Sequence, residues 1–179
     1  MKVILLDFDG VLNCSTSKSR APFPAPPEFC YIGLDSDKIR NLAKIVQKTD
    51  AKIVLTTTWR EHYEIGAYKQ MDPVGKYMNN KFRKFGLKIY DKIQRGKRFD
   101  RGRDVKVWLD EHPQVTDFVI LDDEEIGYYN DYDLFDPHFV KTLWDGHGLT
   151  ENCANAAINI LNGELGSYID RDDLQWIYT

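Results

Sequence analysis

Two aspartates near the N-terminus are the residues best placed to do chemistry. Asp7 and Asp9 stand two positions apart, and Gly10 follows them directly. They come after an apolar run, residues 3–6, which is typical of a buried parallel strand that stops at its carboxyl edge. Ligands bind at that edge in open α/β sheets. Two carboxylates there can hold a divalent cation, and one of them can attack phosphorus.

A second acidic pair ends another apolar run. Residues 118–121 lead into Asp122 and Asp123. Adjacent carboxylates at the end of a strand repel each other unless a cation or solvent screens them. These two residues are therefore candidates to complete a metal site. A solvated acidic turn is the other interpretation, because Glu124 and Glu125 follow directly.

The Asp-x-Asp-Gly-Val pattern, continued by Leu12 and Asn13, resembles the first motif of the haloacid dehalogenase superfamily of phosphohydrolases. In that family the first Asp is the nucleophile and forms an aspartyl-phosphate, and the second is the general acid and base. The resemblance implies that Asp7 is the nucleophile. It also implies that Asp9 protonates the leaving oxygen and then activates the water that hydrolyses the intermediate.

The same resemblance implies that Mg²⁺ binds at these acids. The ligands would be Asp7, the backbone carbonyl of Asp9, and Asp122 or Asp123. Mg²⁺ held there would offset the repulsion between the attacking carboxylate and the phosphate.

Three threonines follow the apolar run 53–55, and the family's second motif is a strand that ends in Thr or Ser. In the family this hydroxyl hydrogen-bonds the phosphoryl group. The resemblance favours Thr57 in this role and Thr56 next, with Thr58 and Arg60 as further substrate-binding candidates. For two of the three threonines, the simpler interpretation is that β-branched residues complete the strand.

The family's third motif is a Lys or Arg near the start of the helix before the last acidic strand, where it neutralises the nucleophile and the phosphate. That helix is predicted over about 102–112. The candidates are Arg101, Arg103 and Lys106. An Arg-Gly pair at the helix start, and Thr-Trp-Arg after the second motif, are similar to the phosphatase domain of multifunctional Swiss army knife RNA-repair proteins. This similarity favours Arg101, and it extends over roughly residues 2–162.

Strands alternate with helices along the chain, which predicts an α/β fold. We expect one domain over residues 1–179, with a Rossmann-like, mostly parallel sheet, helices on both faces and no large cap domain. The predicted strands are about 2–7, 52–57, 87–90, 117–122 and 139–142. The predicted helices are about 36–48, 102–112 and 151–162, with helical material also between 58 and 85. Thr150 is a good N-cap for the last helix.

The segment after the first motif, residues 14–34, holds four of the seven prolines. Their restricted backbone predicts a stiff loop rather than a helix. The loop is either a flap over the site or a passive surface loop. It is too short for a full cap domain, and a lightly covered site permits bulky substrates.

The amino-acid composition indicates the cellular compartment. Three cysteines, an odd number without zinc spacing, are typical of reduced thiols, so we expect a cytoplasmic protein. The chain has no apolar run of about 18 residues that could span a membrane. A strand that begins within two residues of Met1 leaves no room for a signal peptide.

Basic and acidic residues are concentrated in different parts of the chain. Residues 69–106 hold 13 basic and four acidic side chains, whereas residues 107–179 hold two basic and 16 acidic ones. Four aromatic residues are interleaved with the basic ones: Tyr77, Phe82, Phe85 and Tyr90. Such a segment is typical of a single-strand nucleic-acid surface. A solvated helical face with its aromatics turned into the core is the alternative, and the three-residue spacing of Phe82 and Phe85 favours it. The candidates for a polyanion-binding face are Lys81, Arg83, Lys84, Lys92, Arg95, Lys97 and Arg98.

Together these features predict a magnesium-dependent phosphomonoesterase that acts on the termini of RNA or DNA, or on nucleotide phosphates. A phosphatase of small metabolites with the same chemistry is one alternative. A non-catalytic nucleic-acid-binding module is another, although such a module needs neither Asp7 nor Asp9. The sequence leaves the exact substrate, the oligomeric state and any protein partner open.

Overall fold

The computed structural model of this chain describes residues 1–20, 33–94, 96, 100–124 and 132–164. Residues 21–32 of the predicted flap, and Cys30 with them, lie outside the described residues. The same holds for Arg95, Lys97 and Arg98 of the predicted basic face.

Five short strands form one parallel sheet. They are β1 (Lys2–Leu6), β2 (Lys52–Leu55), β3 (Ile89–Lys92), β4 (Asp117–Asp122) and β5 (Phe139–Lys141). Their order across the sheet is β3-β2-β1-β4-β5, and every neighbouring pair is parallel. The predicted α/β, Rossmann-like architecture is confirmed. Within the described ranges, no large cap domain covers the carboxyl edge of the sheet.

Helices cover both faces of the sheet. They are α1 (Ser36–Thr49), α2 (Pro73–Arg83), α3 (Arg101–Glu111), α4 (Tyr132–Phe135) and α5 (Glu151–Leu161). Because successive side chains of a strand point to opposite faces, β1 contributes to two hydrophobic clusters. Ile4 and Leu6 pack with α1, α2 and α5, whereas Val3 and Leu5 pack with α3 and α4. Both faces of the central strand are therefore buried.

The third strand begins two residues later than predicted. Leu87 is buried, but its N–H is donated to the Phe82 carbonyl at 3.0 Å. Gly86 precedes it with a φ of 71°, the left-handed conformation that commonly ends a helix. Leu87 therefore belongs to the turn that ends α2, and the strand starts after that turn.

Three of the four aromatic residues in the basic segment face the core. Phe82 is 1% exposed, and its ring is stacked on Phe8 with the ring centroids 5.7 Å apart. Tyr77 and Phe85 are partly buried against the same cluster. The prediction of a base-stacking surface is wrong for Phe82, because α2 turns this side chain to the sheet, whereas Tyr77 also lines a cavity on another side of the helix. Tyr90, at 42% exposure, is the exception.

Two further expectations concern cysteines and membranes. Cys14 and Cys153 are buried and form no disulfide. No helix in the described part of the chain has both the length and the apolar character needed to cross a bilayer.

Thr150 caps the last helix, as predicted, and offers a test of that helix. Its Oγ1 accepts the Cys153 N–H at 3.1 Å, and the residue is 5% exposed. Thr150→Ala should lower the free energy of unfolding by about 1 kcal/mol, because an N–H of the first turn loses its acceptor. Thr150→Ser keeps the hydroxyl and should lose less, as measured by urea denaturation. An equal loss in both variants would assign the effect to the methyl group instead.

Candidate active site

Strand register brings the predicted site residues together at the carboxyl edge of the sheet. β1 pairs in parallel with β2 on one side and with β4 on the other, and the three strands end at the same level. Asp7, Thr56 and Asp122 are therefore neighbours at that edge. The Asp7 N–H is donated to the Leu121 carbonyl at 3.0 Å, and the Thr56 N–H to the Leu6 carbonyl at 2.9 Å. Chain order reverses at β1, and open α/β sheets bind ligands at such a reversal.

Three acids meet at this point. Asp7, Asp122 and Asp123 each place a carboxylate oxygen within 4.8 Å of those of the other two. Asp7 and Asp122 are buried, and Asp123 is half-buried. Carboxylates at this distance repel one another, and an all-oxygen donor set suits a hard divalent cation. These residues therefore fit the Mg²⁺ that the resemblance implies.

Arg101, the first residue of α3, brings positive charge to the acids. Its Nη1 lies 3.1 Å from Asp7 Oδ2 and also contacts Asp122 Oδ2. Among the three basic candidates from the sequence, only this side chain reaches the acid cluster within the described residues. Arg103 and Lys106 are exposed on other sides of the helix.

Gly10 allows the loop after Asp9 to approach Asp123 closely. Its φ of 72° is in the left-handed region that favours glycine. A Cβ at this position would lie 2.2 Å from the carboxyl carbon of Asp123. The glycine of the motif therefore makes room for one of the candidate metal ligands.

A small cavity of about 90 Å³ opens beside Arg101. Its lining residues are Thr56, Thr58, Arg60, Ile93, Arg101, Asp104 and Val105. Thr56 Oγ1 is buried and has no hydrogen-bond partner among the described residues. Because a buried hydroxyl without a partner costs free energy, this one is well suited to bind a ligand.

Thr57 has a different environment. Its Oγ1 accepts the Trp59 N–H at 3.3 Å and thereby caps the 3₁₀ helix Thr58–His62. Arg60 is buried in the same turn and donates to the backbone carbonyls of Thr56 and Thr57. The geometry thus favours Thr56 over Thr57 as the hydroxyl open to a ligand.

Asp9 is held by two side chains that sequence reasoning did not assign to the site. Trp59 Nε1 donates to Asp9 Oδ2 at 2.9 Å, and Asn13 Nδ2 donates to Asp9 Oδ1 at 3.0 Å. Asn13 continues the first motif, and Trp59 follows the threonines of the second. Their place in the motifs could have marked them as site residues, but it does not reveal that both contact Asp9.

A family model for the HAD (haloacid dehalogenase) domain in Swiss Army Knife RNA repair proteins matches residues 3–154. The chain belongs to this family. Comparisons with curated proteins and with solved structures give no match. The matched range runs from the second residue of β1 into α5, so it contains the other four strands in full and the whole site described above. Membership in this HAD family supports a phosphatase-type function.

The pKa values of two acids in the HAD site are raised. Burial, followed by repulsion from Asp122, raises the pKa of Asp7 to about 7, although Arg101 acts in the opposite direction. Burial and Asp122 also raise the pKa of Asp123 to about 6. Near neutral pH Asp7 therefore holds a proton in part of the molecules, and near pH 6 both carboxyls hold protons that a cation must displace.

Magnesium affinity should fall as the pH falls. Between pH 7 and pH 6, displacement of one proton from Asp7 should weaken Mg²⁺ binding by roughly fivefold, because only the carboxylate form is a ligand and its share falls by that factor when the pKa is about 7. Above about pH 8 the affinity should level off, since both acids are then ionised. Calorimetric titrations in buffers of different ionisation enthalpy measure the affinity and the protons released. Affinity that stays constant from pH 5.5 to pH 8 would contradict this account.

Proposed function

We propose that this HAD domain is a magnesium-dependent phosphomonoesterase that forms an aspartyl-phosphate on Asp7. The observation that carries the proposal is the convergence of three acids and Arg101 beside the Thr56 cavity. An anionic nucleophile needs nearby positive charge to approach a phosphate, and Arg101 lies 3.1 Å from Asp7. The residues that would hold Mg²⁺ are Asp7, Asp122, Asp123 and the backbone carbonyl of Asp9.

The proposed reaction has two steps. In the first, a carboxylate oxygen of Asp7 attacks phosphorus in line, the ester P–O bond breaks, and Asp9 gives a proton to the leaving oxygen. In the second, Asp9 takes a proton from water, which attacks the aspartyl-phosphate and releases inorganic phosphate and the Asp7 carboxylate. Arg101 and the Thr56 hydroxyl bind phosphoryl oxygens throughout. Bound Mg²⁺ offsets the repulsion between carboxylate and phosphate.

Replacement of each aspartate tests the mechanism. Asp7→Asn should abolish turnover, because an amide is a poor nucleophile. Asp9→Asn should slow turnover by roughly 10²–10⁴-fold, the usual share of general acid–base catalysis. Phosphate release is measured with magnesium and again with a chelator, which should stop it. Near-wild-type rates for Asp7→Asn protein of verified mass would exclude the mechanism.

The substrate class we propose is the phosphorylated end of a nucleic acid, or a nucleotide. The matching family model describes a domain of RNA repair proteins, which supports this choice. The support from this chain is a cavity of about 370 Å³ on α2. Its lining residues are Pro73, Lys76, Tyr77, Asn80, Lys81 and Lys84. Three lysines and no carboxylate line it, which suits a polyanion, although Lys81 Nζ also donates to the Leu34 carbonyl at 2.9 Å.

The position of this lysine cavity relative to the acids supports the same choice. On the opposite side of α2, Phe82 stacks on Phe8, which stands between Asp7 and Asp9 in the chain. The lysines are therefore more than one helix diameter, roughly 10 Å, from the loop that carries the acids. A strand whose end occupies the Asp7 site could place its next phosphates over Lys76 and the other lysines.

One lysine of the predicted basic face belongs elsewhere. Lys92 Nζ donates to the Tyr63 carbonyl at 2.5 Å and to the Arg60 carbonyl at 3.3 Å. Its side chain is 18% exposed and also lies 3.6 Å from Glu64. Lys92 therefore stabilises the loop after β2, and the expectation that it faces a polyanion is wrong.

A charge-matched pair of variants tests the nucleic-acid proposal. Lys76→Ala with Lys84→Ala should raise KM for a phosphorylated oligonucleotide and reduce its salt dependence, by about 0.7 in the log–log slope per lost phosphate contact. Hydrolysis of a small aryl phosphate should not change, because the acids are untouched. Arg40→Ala with Lys48→Ala removes the same charge at the same spacing from α1 and is the control.

Other results would select the other functions. Equal effects of the two double variants would show a general loss of positive charge. Turnover of sugar phosphates, but neither of nucleotides nor of oligonucleotides with 3′- or 5′-phosphates, would indicate a small-metabolite phosphatase. Oligonucleotide binding without turnover of any phosphate ester would indicate a binding module.

A further inference from the structure

Both oxygens of the Asp9 carboxylate accept hydrogen bonds from neutral side chains. The indole Nε1 of Trp59 donates to Oδ2 at 2.9 Å, and the amide of Asn13 donates to Oδ1 at 3.0 Å. Asn13 is four residues away on the same loop, whereas Trp59 comes from a different segment, beyond β2. The orientation of Asp9 therefore depends on a residue fifty positions away in the chain.

Trp59 is itself held firmly. It is 5% exposed, and its ring meets Phe8 edge to face with the ring centroids 5.8 Å apart. Its backbone N–H is donated to Thr57 Oγ1 at 3.3 Å, at the start of the 3₁₀ helix Thr58–His62. A donor fixed by packing and by the backbone can orient an acceptor without large movement of its own.

An acid–base group needs such an orientation. The terminal torsion of an aspartate is broad, so its carboxylate can rotate when nothing holds it. Proton transfer requires the carboxylate within hydrogen-bond reach of the reacting oxygen, and a misplacement of about 1 Å can cost roughly 100-fold in rate. One hydrogen bond on each oxygen restrains that rotation.

We propose that Trp59 is a positioning residue that orients the carboxylate of Asp9 for both proton transfers, with Asn13 as the second support. The inference rests on the proposed acid–base function of Asp9 and adds a residue to it. It also gives the segment after β2 two functions. Thr56 faces the cavity beside Arg101, and Trp59, three residues later, contacts Asp9. The same short segment thus sets where the phosphoryl group and the proton donor lie relative to each other.

The structure offers a matched control for this proposal. Trp108 is also 5% exposed, and its Nε1 donates to a carboxylate oxygen of Asp91 at 2.9 Å. This second pair has the same chemistry, burial and distance as Trp59 with Asp9. It lies in the other hydrophobic cluster, away from Asp9.

The experiment compares Trp59→Phe with Trp108→Phe, each alone and combined with Asp9→Asn. With a phosphorylated substrate, Trp59→Phe should lower kcat by roughly 10- to 100-fold and leave KM and Mg²⁺ affinity nearly unchanged. In the Asp9→Asn background Trp59→Phe should cost nothing further, because Trp59 acts through Asp9. Trp108→Phe should change kcat little in either background.

A second substitution covers the case in which Trp59→Phe damages folding. Incorporation of 3-benzothienylalanine at position 59 keeps the bicyclic ring and replaces the N–H donor with a sulfur atom that cannot donate. The same loss of kcat, with unchanged thermal unfolding, would support the proposal. Wild-type kcat in this protein would overturn it.

The remaining outcomes separate this inference from the function on which it rests. If Asp9→Asn retains full activity, the proposed acid–base function of Asp9 is wrong. If Asp9→Asn is impaired but Trp59→Phe is not, only the positioning function of Trp59 is wrong. If the two substitutions multiply their losses, Trp59 acts independently of Asp9, and the positioning proposal is also wrong.

Discussion

The in-register pairing of β1 with β2 and β4 is the constraint on which the other features of this molecule depend. Because side chains alternate along a strand, a shift of one residue would turn Asp7 to the opposite face of the sheet. Such a shift would also exchange Ile4 and Leu6 with Val3 and Leu5 between the two hydrophobic clusters. All four side chains are fully buried, so the packing of both faces opposes it. The alignment of the strand ends is thus enforced by the core.

The same strand ends carry a concentration of negative charge that opposes folding. Asp7 and Asp122 are both buried beside each other, and each loses its hydration there. Arg101 offsets part of this cost through its contacts with both carboxylates. The Thr56 hydroxyl, which has no hydrogen-bond partner in the part of the chain that the structure describes, adds another local cost. Several destabilising features at one edge of a sheet are typical of a functional site. Here the packing of the two hydrophobic clusters offsets their cost in folding free energy.

The sheet, its acids and the cap of the last helix could be predicted because each depends on a pattern of a few consecutive residues. An apolar run followed by Asp7 or Asp122 identifies a strand end by itself. The contact between Trp59 and Asp9 joins segments fifty residues apart, and no local pattern reveals it. The inward orientation of Phe82 also needed the structure, because a row of lysines and aromatics fits a buried helix face as well as a binding surface. The choice between Thr56 and Thr57 depends on the 3₁₀ helix that follows them.

Phe8 is the residue that separates the two aspartates, and its ring packs against both Trp59 and Phe82. Helix α2 supplies no group to the chemistry, but through Phe82 it holds the short stretch of backbone that presents both acids. We therefore expect selection for turnover to constrain Phe82 as closely as a residue that meets the substrate. Substitutions that accumulate in this helix would first slow catalysis and only later destabilise the fold.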